Sequence, residues 1–452
     1  MIESNLHNPE METLQGSALE AVQLRKLKKL VVRVYEKSPY YKNKFDVAGV
    51  NPYELNSLEE FSHYPFFTKE EERESQQLSL KQYGHPYGMH VTCDVGDINL
   101  TSASSGTTGF PTFQAVTEKD RRMRNEHMAR ALCRLEIKPG DTALFCGEMS
   151  MWVAGIPSID GLLAYGCNVV PVGAKGSIKI AEMMDMVHPV VALGTPSFFR
   201  HMIKKVANET NINLCEVGPK KIIVYGEPGG SVPEVVRELS EGFGGAEIYD
   251  IMGGTGCHNP LFVSCKENNG LHIVAPENAY VEILDPETQK PLPMEDGVTG
   301  EIVLTGLDRE CGPLIRSQVK DLVRVFTSPC ACGMPGWRMF IEGRVDDMLL
   351  VKGVNVFPNA IRDIALKSPA ALTGNIQVLK FSKSQVIEPP LEVKVECKGN
   401  PSQEDKVKIK KKLEGEIQRV LRFRCEAILI DENKLEIEYG PTGKAKLTKK
   451  MY

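Results

Sequence analysis

Residues 101–112 read TSASSGTTGFPT. Hydroxyl-bearing and small side chains lead into Gly-Thr-Thr-Gly and then Phe110 and Pro111. Glycine lets the main chain approach a ligand closely and adopt unusual dihedrals. Its N–H groups, joined by hydroxyls, can therefore wrap the oxygens of a polyphosphate. The run is not a Walker loop, which ends in Gly-Lys-Ser/Thr; Phe110 stands where a lysine would be expected. Nor does it carry the dinucleotide-binding fingerprint.

Downstream of the run, short β-rich segments alternate with helical ones. TALFCGE (142–148), NVVPV (168–172), VVALG (190–194) and KIIVYGE (221–227) read as strands, with helices over 178–186 and 232–241. This alternation predicts an α/β fold with a largely parallel sheet. From 271 to 305 the pattern shifts to antiparallel strands with turn residues between them. Upstream, residues 17–37 carry helical spacing. A boundary falls near 343, dividing the chain into a large unit of residues 1–343 and a small α+β unit of 344–452. The small unit should hold a helix at 359–367, a strand at 391–397, a basic helix at 403–421 and a strand at 425–430. The lysines at 406–412 read as the solvated face of their helix.

Composition excludes several classes. The 452 residues carry 54 Lys and Arg against 59 Asp and Glu, a net charge of −5, so no basic field points to nucleic acid. The best apolar run, MWVAGIPSIDGLLAYGCNVVPV, is broken by Pro157 and Asp160, so no membrane span is expected. The polar, acidic first residues lack an export-signal pattern. Twelve cysteines then read as reduced thiols of a cytoplasmic protein.

Further segments accompany the opening run in a fixed order. They are YPFFTKEEERE (64–74), YGEPGG (225–230), PLIRSQVKDL (313–322), GRVDDMLLVKGVNVFP (343–358) and GPTGKAKLTKK (440–450). Together with SSGTTGFPT they resemble the phenylacetate–CoA ligase-like branch of the adenylate-forming (acyl-CoA synthetase) superfamily. The resemblance implies a large αβαβ sandwich with a β-rich subdomain, followed by a small mobile α+β domain. It also implies ATP, Mg2+ and coenzyme A as cofactors, and a carboxylic acid, aryl or arylacetic, as substrate. The acid would be activated as acyl-AMP and passed to a thiol. Homodimerisation is a family expectation.

Carried over residue by residue, the resemblance gives each segment a role. Ser104, Ser105, Gly106, Thr107, Thr108 and Gly109 would cradle the outer phosphates, with Thr107 and Lys444 catalytic. Lys444 would bridge the substrate carboxylate and the α-phosphate, its compact charge on a long stem. Gly226, Glu227, Pro228, Asp250 and Thr255 would line the nucleotide, and Asp321 and Arg344 would hold the ribose. Asp346 would be the hinge and Gly353 would admit the pantetheine arm of CoA. Trp152, Tyr225, Met252 and Gly253 would form the acid pocket.

YDIMGGTG (249–256) departs from the family pattern. Met252 replaces an aromatic residue, and Gly256 replaces the glutamate that holds Mg2+. Thr107, phosphates and water, or Glu227, would then serve the metal; the alternative is a weakened or lost adenylation step. Two other readings stay open: delivery to a carrier protein or amine, and a non-catalytic binder.

Cys330 and Cys332, with Cys265 and His272, make a Cys3His set suited to tetrahedral structural Zn2+. The set resembles a metal knuckle of some phenylacetate–CoA ligase relatives. Cys257 and His258 are competing ligands.

Overall fold

Four of the predicted β-rich runs become adjacent strands of one large sheet. The computed structural model describes residues 5–104, 111–173, 176–227, 229–254, 256–345, 349–351, 354–368, 371–382, 386–438 and 446–452. The chain divides into two units, one of residues 1–319 and 324–340, the other of 320–323 and 341–452.

In the first unit, helices α1 (Pro9–Glu12), α2 (Gly16–Lys37), α3 (Pro39–Ala48) and α4 (Lys69–Tyr83) precede an antiparallel ribbon of β1 (Ile98–Ser104) and β2 (Thr112–Thr117). An α/β alternation follows: α5 (Glu118–Arg134), β3 (Thr142–Phe145), α6 (Ile156–Tyr165), β4 (Asn168–Pro171), α7 (Ser177–Val187), β5 (Val191–Gly194), α8 (Pro196–Glu209), α9 (Leu214–Val217), β6 (Lys221–Tyr225), α10 (Pro233–Gly242) and β7 (Glu247–Met252). Strands β3 to β7 pair in parallel. β5 is wholly buried and β6 nearly so, because a parallel strand covered on both faces must be apolar throughout. Leu132, Phe145, Leu193, Ile223 and Val263 centre this core.

The sheet continues through β8 (Phe262–Ser264), β9 (Leu271–Ile273), β10 (Ala279–Leu284), β11 (Thr299–Gly306), β12 (Ser317–Phe326) and β13 (Arg338–Arg344). Its order is β10-β11-β12-β13-β9-β8-β7-β6-β5-β3-β4. The pairs β7/β8, β8/β9, β9/β13 and β10/β11 are antiparallel, and β10/β11 falls on the 271–305 stretch read as antiparallel.

Apolar spacing does not reveal α4, because its buried stripe is polar, and α5 buries cations beside the Met128, Ala131 and Leu132 that join the core. α4 buries Glu72, Ser75, Gln76 and Ser79. Its start is fixed by a capping box in which Thr68 Oγ1 accepts from the Glu71 N–H while the Glu71 carboxylate accepts from the Thr68 N–H. α5 buries Arg124, His127, Arg130 and Arg134. Arg134 reaches Glu12 at 2.7 Å and Arg130 reaches Glu277 at 2.8 Å, so these cations enter the interior paired.

The second unit holds β14 (Leu349–Val351), β15 (Val354–Val356), α11 (Pro358–Leu366), β16 (Leu372–Lys380), β17 (Val386–Ile387), β18 (Leu391–Cys397), α12 (Gln403–Leu421), β19 (Cys425–Ile430) and β20 (Thr448–Lys450). The sheets run β15-β14-β17 and β19-β18-β16-β20. α11 and α12 close their core with Ile361, Ile364, Leu413 and Ile417. Among the described residues, no helix is long and apolar enough to cross a membrane.

Candidate active site

The hydroxyl-rich turn leaves β1 and returns on β2. Ser105, Gly106, Thr107, Thr108 and Gly109 lie outside the described residues, as do Pro228, Thr255, Asp346, Gly353 and Lys444. The two arms of the turn are described. Antiparallel register sets the Ser104 backbone opposite Thr112 and Ala103 opposite Phe113. On the incoming arm, Ala103 also bridges Trp152, its N–H donating to the Met151 carbonyl.

Trp152 carries this contact into the predicted acid pocket. Its ring lies 5.6 Å from that of Tyr225 at 37°, and Phe145 stacks on the Tyr225 ring at 6.5 Å. The Tyr225 hydroxyl is buried and without a partner among the described residues. Burial pushes its phenol well up. Gly226 follows with φ +84, and a Cβ there would sit 3.6 Å from the Trp152 ring. Only a residue at ease in the left-handed region turns the chain so closely beneath the indole.

β7 lies beside β6, with Tyr225 opposite Ile251, so the two strand ends emerge together. Asp250 is buried. Its carboxylate accepts from Ser231 Oγ at 3.1 Å, and its own N–H donates to Ser264 Oγ at 2.8 Å. Burial pushes the Asp250 carboxyl up to about 7. A Cβ on Gly230 would come within 2.5 Å of Asp250 Cβ, so the 229–231 turn sits directly on this side chain. The Glu227 carboxylate accepts from the Ser197 N–H at 2.7 Å in the first turn of α8. Negative charge is favoured there. Met252 is half-buried at the end of β7. Gly253 is pressed by Asn259, whose Oδ1 would lie 2.4 Å from an added Cβ and which accepts from the Gly254 N–H at 2.8 Å. Asn259, Ser231 and Ser197 thus shape these turns. Their only sequence signal is that such residues favour turns and helix starts.

Gly256 has φ +86, and a Cβ there would meet Leu314 Cβ at 2.8 Å. The position is built around glycine, and a glutamate does not fit without rearrangement. It offers no side-chain oxygen to Mg2+, and one oxygen of the Glu227 carboxylate accepts from the Ser197 N–H on α8. The described residues therefore do not supply the glutamate ligand expected for magnesium at this position.

Asp321 on β12 and Arg344 on β13 are brought together, Arg344 Nη1 donating to Asp321 Oδ1 at 3.2 Å.

The Cys/His set also assembles. The ligand atoms of Cys265, His272, Cys330 and Cys332 all lie within 4.8 Å of one another. Cys265 follows β8, His272 is central in β9, and Cys330 and Cys332 lie on the turn between β12 and β13. Cys265 Sγ is 3.8 Å from Cys330 Sγ, and Cys332 Sγ is 3.6 Å from His272 Nε2. Hydrogen bonds from Cys332 and His272 hold the Cys265 thiol well below its ordinary range. The Met334 N–H donates to Cys332 Sγ at 3.4 Å, and His272 Nδ1 is buried without a partner among the described residues. Three soft sulfurs and one imidazole at these separations fit tetrahedral zinc. Cys257 and His258 are not part of the group; His258 Nε2 faces Asp120 at 3.8 Å.

The family model described as AMP-binding enzyme matches residues 50–308. The phenylacetate-coenzyme A ligase of Thermus thermophilus is 30% identical over 395 residues, covering 86% of this chain and 84% of that protein. The phenylacetate-coenzyme A ligase of Aromatoleum evansii is 28% identical over 439 residues, covering 96% and 95%. Among solved structures, 2-hydroxyisobutyryl-CoA ligase in the postadenylation state with 2-HIB-AMP superposes with a TM-score of 0.85. It is 26% identical and covers 98% of this chain and 91% of that one.

Proposed function

The chain belongs to the AMP-binding enzyme family, and from that premise we propose that it is an AMP-forming acid–CoA ligase acting on an aryl or arylacetic acid. A carboxylate oxygen attacks the α-phosphorus of ATP, and pyrophosphate leaves with the electrons of the broken P–O bond. The thiolate of CoA then attacks the acyl carbonyl, and AMP departs. Oxide is a poor leaving group; AMP is a good one, and this is why the acid is activated first.

One observation carries the reading: the incoming arm of the hydroxyl-rich turn, the Trp152 indole and the Tyr225–Gly226 strand end form one line of contact. Segments far apart in sequence thus converge, which supports a site there for triphosphate, acid and adenine. Two anions must approach each other there, so preplaced donors lower the barrier most. Ser104 to Gly109 would supply those donors, with Thr107 on the outer phosphates. Lys444 would span the carboxylate and the α-phosphate, and Asp321 with Arg344 would hold the ribose. Residues 344–452 would turn on Asp346 between the two steps, exchanging Lys444 for Gly353 and the pantetheine arm. The Trp152 ring, tilted against Tyr225 with Phe145 stacked behind it, favours a flat apolar acid.

The test is a panel of acids with ATP, Mg2+ and CoA, products read by mass. Phenylacetate should give acyl-CoA and AMP. Turnover of 2-hydroxyisobutyrate alone would overturn the aryl assignment, acyl-AMP without thioester would point to a carrier or amine acceptor, and no AMP from any acid would overturn the ligase reading. Zinc on Cys265, His272, Cys330 and Cys332 would be structural, and purified protein should hold one equivalent. A cytoplasmic location would keep the thiols reduced, and light scattering tests the homodimer.

A further inference from the structure

α4 presents a problem that the proposed reaction leaves unsolved: its buried stripe of Glu72, Ser75, Gln76 and Ser79 contains no apolar residue. A helix ordinarily docks through an apolar stripe. Here the polar groups are spent on hydrogen bonds. The single amide of Gln76 meets both backbone groups of Phe113, its Nε2 donating to the Phe113 carbonyl at 2.7 Å and its Oε1 accepting from the Phe113 N–H at 2.9 Å. Next to it, Gln114 Nε2 donates to the Glu72 carboxylate at 2.6 Å, and Arg309 Nη2 donates to Gln114 Oε1 at 3.0 Å. Phe113 and Gln114 lie near the start of β2, which follows the hydroxyl-rich run. α4 is itself fixed at its start, where the Phe67 N–H donates to the Arg316 carbonyl at 3.2 Å and the Gln318 N–H donates to the Phe67 carbonyl at 3.1 Å.

We propose that Gln76 is a positioning residue for ATP: by gripping both backbone groups of Phe113 it fixes the start of β2, the described arm next to the phosphate-binding run, and so lowers the cost of ordering that run around the triphosphate. The proposal rests on the reading of residues 104–109 as the phosphate cradle. A two-point amide clamp fixes a strand's position and its rotation, which one bond cannot do. Preorganised donors bind without the cost of ordering. The stretch YPFFTKEEERE thereby gains a role as the anchor of this bracket.

The experiment compares Gln76→Leu, which removes both bonds, with Gln76→Glu, which can accept from the Phe113 N–H but cannot donate to its carbonyl. Ser79→Ala is the stability control, because Ser79 Oγ serves His85 and not β2. Gln76→Leu should raise the KM for ATP by roughly tenfold, the worth of about one good hydrogen bond. Product inhibition by pyrophosphate should weaken in step, while the KM for the acid holds and Gln76→Glu falls between. Ser79→Ala should lower Tm without moving the ATP constant. If Gln76→Leu does not fold, Gln76→Glu is scored alone for the same split. Equal ATP effects from Gln76 and Ser79 variants overturn the positioning role. So does an unchanged ATP constant in the Gln76 variants while Thr107→Val raises it. If Thr107→Val is silent as well, the phosphate-cradle reading falls, and this proposal with it.

Discussion

The Cys/His group and the ends of β6 and β7 are both built from polar side chains on one sheet, yet they solve opposite problems. At the strand ends the carboxylates and the amide already have protein partners: Asp250 has Ser231, Glu227 has the Ser197 N–H, and Asn259 has the Gly254 N–H. At the Cys/His group, three thiols and an imidazole crowd one another, and His272 Nδ1 is buried without a partner among the described residues. The strand ends are shaped by the protein's own hydrogen bonds and hold their form without a bound ligand. With the proposed zinc among its sulfurs, the Cys/His group would gain further stabilisation.

The largest effect should come from breaking the metal side of this comparison. Cys330→Ser should take bound zinc from one equivalent to none and lower stability by ~4 kcal/mol, the range reserved for losing a structural metal or a comparable feature. Metal analysis and urea unfolding measure the two quantities. The turn beyond β7 should be less affected, so ATP binding per folded molecule should hold. A Cys330→Ser protein that keeps its metal and its unfolding midpoint ends the comparison.

A smaller effect is expected from Gly256→Glu. Left-handed backbone with a side chain costs about 1–2 kcal/mol, and overpacking against Leu314 adds about 1–3 kcal/mol. The variant should therefore lose ~3 kcal/mol, and ATP–pyrophosphate exchange should show no gain in Mg2+ affinity. A stable variant that binds Mg2+ more tightly would mean that the glycine is a simple deletion of a ligand and that the turn is not built around it.

These two sites also mark how much the sequence discloses. The parallel strands are legible because burial on both faces forces runs such as VVALG and KIIVY to be apolar throughout. The Cys3His group is legible because few residue types can hold zinc, and each of the four occurs beside a turn or short strand. Position 256 is legible only as a missing glutamate; that Leu314 fills the space beside it follows from tertiary packing. α4 and α5 escape apolar periodicity because Gln76 docks on a backbone and Arg134 on a buried carboxylate. The stripe of α4 is wholly polar and that of α5 mixes cations with apolar residues, and spacing rules weigh only hydrophobicity. Asp250 reads as one more strand-end acid, and nothing near it in sequence announces Ser231 or Ser264 as its partners.

The smallest predicted effect tests the strand-end half of the comparison through that acid. Burial raises the Asp250 carboxyl from an ordinary 3.8 to about 7. A raised acid pKa means that the folded protein binds more protons than the unfolded chain between these two values. Stability should therefore fall as pH rises from about 4 to about 7, by at most about 1.4 kcal/mol per pH unit from this one group. The Ser231 hydroxyl opposes that fall by donating to the ionised form. Ser231→Ala removes the donor, so the folded-state value should climb further and the falling limb should extend to higher pH. Below pH 6 the carboxyl is mostly neutral in the folded state and the variant should be close to the parent. Above pH 8 the full loss of about 1 kcal/mol should appear, the worth of one hydrogen bond. Urea midpoints at both pH values separate the outcomes. An equal loss at both would mean that Ser231 merely packs, and that the turn at 229–231 does not depend on the charge beneath it.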